Sequence, residues 1–181
     1  MIYIKKYNEY SIKNLEFIGK GIHGKVYRID SSRCIKIFKK SSFCEKELKT
    51  LEMAQGNNHF PKIYDFGKNY IVRDYIHGIE LDKYLAENPL TLELSQKIIE
   101  LYKALAEVGF KRRDTVLFHI FVTGTTELKL IDTARVMKEN TIYPKLLLKG
   151  LDELGYKKEF LDHVKLLNPH IYECWKEVHK I

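Results

Sequence analysis

Residues 18–27, Ile-Gly-Lys-Gly-Ile-His-Gly-Lys-Val-Tyr, decide the fold of this chain. Their glycines follow the spacing G-x-G-x-x-G-x-V, which either opens a helix in a dinucleotide-binding fold or forms the tip of a β-hairpin. The residues after Gly24 alternate between polar and apolar and include β-branched and aromatic side chains, a pattern typical of a strand. The stretch therefore predicts a hairpin with strands at residues 15–19 and 24–29.

A glycine-rich hairpin can lie against a polyphosphate, because backbone N–H groups without neighbouring Cβ atoms approach an anion closely. After turn residues at 30–32, the pattern at 33–38 predicts a third strand that carries Lys36. Its ammonium group can serve as a point charge for phosphates. The alternative is a plain hairpin with a surface lysine, so the interpretation depends on the order of the motifs that follow.

These motifs resemble the N-lobe of the protein kinase family, which has a glycine-rich loop followed by a third-strand lysine. Residues 34–36, Cys-Ile-Lys, are similar to the Ala-Ile-Lys of that strand. The resemblance implies that ATP is bound, with Ile18, Val26 and Cys34 forming a roof over the adenine ring. The glycines that it places against the nucleotide are Gly19, Gly21 and Gly24.

Residues 42–45, Ser-Phe-Cys-Glu, have the pattern of a capping box and predict the start of a helix that Gly56 ends. Inside this helix, Glu47 resembles the glutamate that the kinase family pairs with its third-strand lysine. Such a pair would fix the direction of the Lys36 ammonium group. Glu45 is an alternative partner, although its role in the cap competes, and a surface carboxylate is the other interpretation of Glu47.

Two further strands are predicted at residues 61–66 and 70–76, on either side of a turn. Five strands with one helix between the third and the fourth follow the order of a kinase N-lobe. Residues 74–76 are then similar to the hinge, in which the backbone of Asp74 and Ile76 would hydrogen-bond the adenine.

Arg73 stands where the family usually has an apolar gatekeeper residue. A buried guanidinium requires a carboxylate or water as its partner, because an unpaired buried charge is costly. Glu47 and Asp132 are the candidate partners.

A long helix is predicted from its N-cap Thr91 to Val108, with Gly109 as its end and an apolar stripe that indicates core packing. The stretch 112–122 that follows resembles the catalytic loop H-R-D-x-x-x-x-N and a short apolar strand. Asp114 matches the catalytic aspartate, which in the family orients the acceptor hydroxyl and takes its proton.

The same stretch departs from the family pattern. Arg112 replaces the histidine, Val116 stands where serine/threonine kinases keep a lysine, and His119 replaces the metal-binding asparagine. Because Mg²⁺ prefers oxygen ligands, His119 is a poor substitute as a ligand, and hydrogen bonding to Asp114 is its alternative role. Phe121 would form the floor of the adenine pocket.

Residues 132–134, Asp-Thr-Ala, follow a predicted strand and resemble the D-F-G motif. Asp132 keeps the carboxylate that would bind Mg²⁺, and a helix-cap or turn aspartate is the alternative. Thr133 and Ala134 lack the aromatic switch and the glycine of that motif. Helices are predicted at 144–154 and 158–167, and a last one is capped by Asn168 and carries Val178.

The length and composition fit one packed domain of ordinary size, or one domain in two small lobes. The chain has 181 residues, 45% of them hydrophobic and 30% charged, with a formal net charge of +7. Three scattered cysteines and the absence of a long apolar run predict a reduced, cytoplasmic protein without a membrane span. The lysines are dispersed, so nucleic-acid binding is the minor alternative.

The expected fold is α+β and bilobal, with a kinase-like five-stranded antiparallel N-lobe at residues 1–76 and a shortened, mainly helical C-lobe at 77–181. The expected function is ATP- and Mg²⁺-dependent phosphoryl transfer to the hydroxyl of a protein serine or threonine. A pseudokinase that binds nucleotide or acts as a scaffold is the alternative, and a small-molecule kinase is the third. Lys36→Met is expected to weaken ATP binding and to leave the fold intact.

Overall fold

The computed structural model describes residues 6–7, 10–124, 127–133 and 141–176. The chain divides into two compact units, Met1–Gly56 with Phe60–Ile76 and Asn57–His59 with His77–Ile181. Each unit has its own sheet. Among the described residues, none of the helices has the length and apolar character needed to cross a bilayer.

The described part of the first unit contains a five-stranded antiparallel sheet, a small strand pair and one α-helix, α1 (Ser41–Met53). In chain order its strands are β1 (Lys6–Tyr7), β2 (Tyr10–Ser11), β3 (Glu16–Lys20), β4 (Gly24–Arg28), β5 (Arg33–Phe38), β6 (Ile63–Gly67) and β7 (Tyr70–Asp74). The large sheet has the order β3-β4-β5-β7-β6, and α1 lies between β5 and β6 in the chain. The predicted five-stranded sheet with one helix is confirmed.

The two faces of this sheet pack against different partners, because successive side chains of a strand point to opposite sides. Phe38 and Ile71 form one cluster with Cys44 and Leu51 of α1. Ile35 belongs to a second cluster with Tyr70 and Val72. Lys36, next to Ile35 in β5, therefore lies on the face that α1 covers.

The start of α1 differs from the prediction. The helix begins at Ser41, and its N-cap is Lys40, which is extended (φ −137°, ψ 141°) and makes no side-chain cap hydrogen bond. Because Ser42 already lies inside the first turn, its hydroxyl does not occupy the N-cap position, and the predicted capping box is wrong. Gly56 follows the helix with a φ of +88°, a conformation that glycine adopts without strain.

The described part of the second unit contains five α-helices and a three-stranded sheet. Its helices are α2 (Leu81–Glu87), α3 (Leu92–Glu107), α4 (Lys145–Glu153), α5 (Lys157–Leu167) and α6 (Pro169–Trp175). Its strands are β8 (Gly78–Glu80), β9 (Ile120–Thr123) and β10 (Leu128–Leu130), in the order β10-β9-β8. The sequence did not predict β8.

Two helix caps predicted from the sequence are present in this unit. The Thr91 hydroxyl accepts a hydrogen bond from Leu94 N–H at 3.1 Å, and the Asn168 side chain accepts one from Ile171 N–H at 3.0 Å. Both satisfy N–H groups that have no partner inside the helix. The predicted extension of the last helix to Val178 lies outside the described residues.

Candidate functional site

A buried ion pair joins the central strand of the first unit to its helix. Lys36 Nζ on β5 donates a hydrogen bond to Glu47 Oε2 on α1 at 2.5 Å. Lys36 is 8% exposed and Glu47 is 1% exposed, whereas Glu45 is exposed. The structure therefore brings together Lys36 and Glu47, and Glu45 lies on the solvent side of the helix.

The burial of this pair changes the expectation for Lys36→Met. Methionine in place of Lys36 would leave the Glu47 carboxylate buried without its cation, and such a change commonly costs about 3–5 kcal/mol. We therefore expect this variant to lose stability as well as affinity for ATP, and whether it keeps the fold stays a prediction. Lys36 has a structural role besides any contact with phosphate.

The residues predicted to cover a nucleotide base share the face of Lys36. Val26 lies directly opposite Lys36 in the β4–β5 ladder, and Cys34 precedes Lys36 by two positions on the same strand. Gly19 pairs with Val26 across β3 and β4. Ile18 lies at a shift in the β3–β4 register, between the paired residues Phe17 and Gly19.

The three glycines of the loop differ in what the fold requires of them. A Cβ atom on Gly24 would collide with the backbone oxygen of Ile37, so the close approach of β4 and β5 requires glycine there. A Cβ atom on Gly19 or Gly21 would meet nothing within 4 Å, and neither residue has a positive φ. Among the described residues, packing and backbone conformation explain Gly24 but not Gly19 or Gly21.

Most polar groups of the predicted hinge, residues 74–76, form hydrogen bonds within the first unit. Asp74 N–H donates to Lys62 O at 3.0 Å, and the Asp74 carboxylate accepts from Lys62 N–H at 2.8 Å and from the Tyr64 hydroxyl at 2.9 Å. Tyr75 N–H donates to Ser32 O at 2.8 Å. The N–H and C=O of Ile76 make no hydrogen bond within the described part of the chain.

Arg73 is buried at the same end of the sheet. It is 5% exposed and lies opposite Cys34 in the β5–β7 ladder. Its guanidinium is within hydrogen-bonding reach of the Cys34 thiol; burial raises the pKa of that thiol, and the charge of Arg73 partly opposes the rise. The pairing of Arg73 with Glu47 or Asp132 stays a prediction.

In the second unit, Asp114 caps a helix. Its Oδ1 accepts a hydrogen bond of 2.8 Å from Leu146 N–H in the first turn of α4. Its Oδ2 lies 3.7 Å from an Arg112 nitrogen, and the Asp114 side chain is only 3% exposed. The N-cap residue of α4, Pro144, provides no side-chain cap of its own. The predicted catalytic carboxylate thus has a structural partner on each oxygen.

Burial raises the pKa of the Asp114 carboxyl above its ordinary value. The N–H groups of Leu146 and Leu147 and the charge of Arg112 lower it in part, because they stabilise the carboxylate. The backbone brings these groups together: Arg113 N–H donates to Thr141 O at 2.9 Å, and Thr141 N–H donates to Lys111 O at 3.0 Å.

His119 and Asp132 also come together. His119 Nε2 lies 4.0 Å from Asp132 Oδ2, and Ile131 N–H donates to His119 O at 3.1 Å. His119 therefore lies beside Asp132. The described residues contain no group of three or more His, Cys, Asp or Glu side chains arranged for a metal. One carboxylate fits Mg²⁺ that keeps water and phosphate oxygens as further ligands, whereas the imidazole of His119 fits it poorly.

Phe121 lies on the face of the small sheet opposite to Ile120 and Val122. It pairs with Glu80 and Lys129, while its neighbours Ile120 and Val122 point to the buried side. Its ring is only partly buried. Beyond Asp132, Thr133 is fully buried, and Ala134 lies outside the described residues.

Comparison with known proteins agrees with this arrangement. No model of a known protein family matches the sequence. A relative from Bacillus subtilis (strain 168), named "Putative serine/threonine-protein kinase YrzF", is 25% identical over 152 residues, which are 81% of this chain and 71% of the relative. The kinase domain of PknI from Mycobacterium tuberculosis superposes with a TM-score of 0.52 at 19% identity, over 66% of this chain. A double mutant of that domain gives a TM-score of 0.55 at 18% identity, over 72% of this chain.

The chain has a protein kinase-like fold.

This kinase-like chain spans 58% of the length of the PknI kinase domain. The motifs quoted from its sequence occur in the order of the family, and they fall on the expected elements: the glycine loop between β3 and β4, Lys36 on β5, and Glu47 on α1. Sequence reasoning missed the contact between Asp114 and α4. The signal was a helix that begins after Pro144 without Ser, Thr, Asn or Asp at its start, which indicates that its first N–H groups need an acceptor from elsewhere.

Proposed function

We propose that this kinase-like chain is an ATP- and Mg²⁺-dependent phosphotransferase that acts on the hydroxyl of a protein serine or threonine. The observation that supports this most is the buried Lys36–Glu47 pair at 2.5 Å. A buried lysine–glutamate pair is costly to maintain for stability alone, since apolar residues of similar size commonly stabilise a core as well. Its use is to hold one ammonium group in a fixed direction for phosphate.

Each remaining residue has a role in that reaction. Asp132 would hold Mg²⁺, which supplies charge that neutralises the phosphate oxygens. The acceptor hydroxyl oxygen forms the new bond to the γ-phosphorus while the bond to the β-phosphate oxygen breaks, so ADP leaves. Asp114 would orient the hydroxyl and take its proton. Gly19 and Gly21 would allow backbone N–H groups to approach the phosphates.

A second function, nucleotide binding without transfer, is favoured by the environment of Asp114. A side chain that is 3% exposed and bonded to α4 does not reach an acceptor hydroxyl in this conformation. In an enzyme, the Asp114 carboxylate must leave Leu146 during the reaction. In a pseudokinase, it remains the cap of α4, and the first unit alone binds nucleotide.

Transfer of labelled phosphate from ATP to a mixture of protein substrates separates the two functions. The wild-type chain is expected to transfer phosphate, and both Asp132→Asn and Asp114→Asn are expected to reduce transfer strongly. Asp114→Asn is preferred to Asp114→Ala because asparagine keeps an acceptor for Leu146 N–H. Equal background in all three proteins, together with a rise in melting temperature on ATP addition, would establish the pseudokinase.

A further inference from the structure

The tip of the glycine hairpin, residues 21–23, is fixed by polar contacts more than by burial of its own side chains. Gly21 N–H donates to Gly24 O at 2.9 Å, which closes the turn between β3 and β4. Ile22 is 74% exposed, so its side chain contributes little packing. The position of this loop tip therefore depends on contacts from outside the hairpin.

Lys39 provides two of these contacts. Its backbone N–H donates to His23 O at 2.9 Å, one position beyond the Gly24–Phe38 pair of the β4–β5 ladder. Its side chain reaches the loop tip, where Nζ donates to Ile22 O at 2.8 Å. Two successive carbonyl groups of the loop tip are thus bound by one residue.

An aromatic contact joins the loop tip to α1. The ring of His23 packs against the ring of Phe43, in the first turn of the helix, with centroids 4.2 Å apart and planes inclined by 43°. Both residues are partly buried. The loop tip is therefore bound both to the segment that follows β5 and to the start of α1.

These contacts determine which polar groups of the loop tip remain for a ligand. The carbonyl oxygens of Ile22 and His23, which would repel an anion, already accept hydrogen bonds from Lys39. The N–H groups of Ile22 and His23 make no hydrogen bond within the described part of the chain. Successive N–H groups of this kind suit an anion such as a phosphate.

We propose that Lys39 is a positioning residue that fixes the glycine loop in the conformation that binds the phosphates of a nucleotide. The proposal rests on the proposed function, in which backbone N–H groups of this loop approach the phosphates. It adds a residue outside the loop on which that approach depends. The physical basis is preorganisation: a loop that is already ordered loses less conformational entropy when the ligand binds.

The test compares the dissociation constants of ATP and adenosine, measured by calorimetry on the whole chain, in wild type and Lys39→Met. Adenosine lacks phosphates, so only ATP reports on the loop tip. In Lys39→Met, ATP is expected to bind about three- to tenfold more weakly, as for the loss of one hydrogen bond, whereas adenosine should bind as in wild type. Lys39→Arg, which keeps the charge and a donor, should restore ATP binding.

Lys40→Met is the matched control. Lys40 is the next residue and is also exposed, and its side chain makes no hydrogen bond or ion pair with any described residue. This substitution removes the same charge, yet the ratio of ATP to adenosine affinity should stay as in wild type. His23→Ala removes the ring contact with Phe43 and leaves every lysine in place, and it should lower the ratio as Lys39→Met does.

Four results would overturn the role of Lys39 while the proposed function stands. The first is equal ATP affinity in wild type and Lys39→Met. The second is an equal loss of ATP affinity in Lys40→Met, because the effect would then come from net charge. The third is a loss in Lys39→Met but not in His23→Ala, because Lys39 would then act through its charge and not through the loop. The fourth is an equal loss of ATP and adenosine affinity in Lys39→Met, which would indicate a structural role. If wild type does not bind ATP, the proposed function itself is overturned.

Discussion

The carboxylate of Asp114 accepts a hydrogen bond of 2.8 Å from Leu146 N–H, across 32 positions of the chain. The residue that the sequence predicts to be the catalytic aspartate thus caps the N-terminus of α4 in the structure. A carboxylate at this end of a helix satisfies N–H groups without intrahelical partners and interacts favourably with the helix dipole. The cap requires a hydrogen-bond acceptor at this position, whereas the predicted reaction requires a carboxylate that can take a proton. Substitutions of Asp114 can therefore separate the two roles.

Asp114→Ala is expected to lower the free energy of unfolding by about 1–2 kcal/mol, because it removes the cap of α4 and leaves Leu146 N–H without an acceptor. Asp114→Asn is expected to be at least as stable as wild type at neutral pH, since it keeps the acceptor and removes a buried charge. Urea unfolding followed by circular dichroism measures both. If the two variants lose the same stability, the cap is not what Asp114 contributes.

The pKa of Asp114 gives a pH dependence with a definite sign. Burial raises this pKa above the ordinary value of 3.8, so the folded chain keeps a proton over a range in which the unfolded chain has released it. Stability from this group is therefore present at low pH and declines as pH rises from about 3.8 through the raised pKa. The free energy of unfolding of wild type should fall relative to that of Asp114→Asn over this pH range. Above the range, the difference between the two proteins should be constant.

Asp30 provides a control of opposite sign. The backbone N–H of Ser32, followed by the Arg33 side chain, holds the pKa of Asp30 well below its usual range. Its contribution is present above the ordinary pKa and is lost as pH falls. The same measurement on Asp30→Asn should therefore show a difference from wild type that shrinks on acidification, and a trend in the same direction for both variants would contradict the assignment.

The sequence predicted local features better than distant contacts. It predicted β5 with its observed bounds, Arg33–Phe38, after the turn at residues 30–32, and it located the caps Thr91 and Asn168. It missed β8, whose three residues, Gly-Ile-Glu, carry too short a pattern. It also missed the bond between Asp114 and Leu146, because a side chain that caps a helix far along the chain leaves no periodic signal in either segment.

The Lys36–Glu47 pair is expected to show strong non-additivity. Lys36→Met and Glu47→Leu should each reduce the free energy of unfolding by about 3–5 kcal/mol, since each leaves one buried charge without its partner. The double variant should recover most of that loss, because it removes both charges. Lys97→Met, which removes the partner of the exposed Glu127, is a control expected to cost at most about 1 kcal/mol. Additive losses in the double variant would show that the pair is not coupled.

Substitutions in the glycine loop should affect either stability or nucleotide binding, depending on the glycine. Gly24→Ala is expected to lower the melting temperature, because its Cβ collides with the backbone of Ile37. Gly19→Ala and Gly21→Ala should melt like wild type, because their Cβ atoms meet nothing within 4 Å. Under the proposed function, these two variants should nevertheless weaken nucleotide binding, measured by the ATP-induced shift in melting temperature. If both variants show the same ATP-induced shift as wild type, Gly19 and Gly21 do not contact the nucleotide.

The last prediction concerns the metal. His119 offers a nitrogen where Mg²⁺ prefers oxygen, and it lies 4.0 Å from the Asp132 carboxylate. His119→Asn supplies an amide oxygen, so it should lower the Mg²⁺ concentration at which ATP raises the melting temperature. Asp132→Asn should make the ATP-induced shift independent of Mg²⁺, with each shift measured against the same variant without ATP or metal. If His119→Asn instead raises the required Mg²⁺ concentration, the imidazole is itself a metal ligand, and binding of a transition metal, which imidazole favours, becomes the better interpretation.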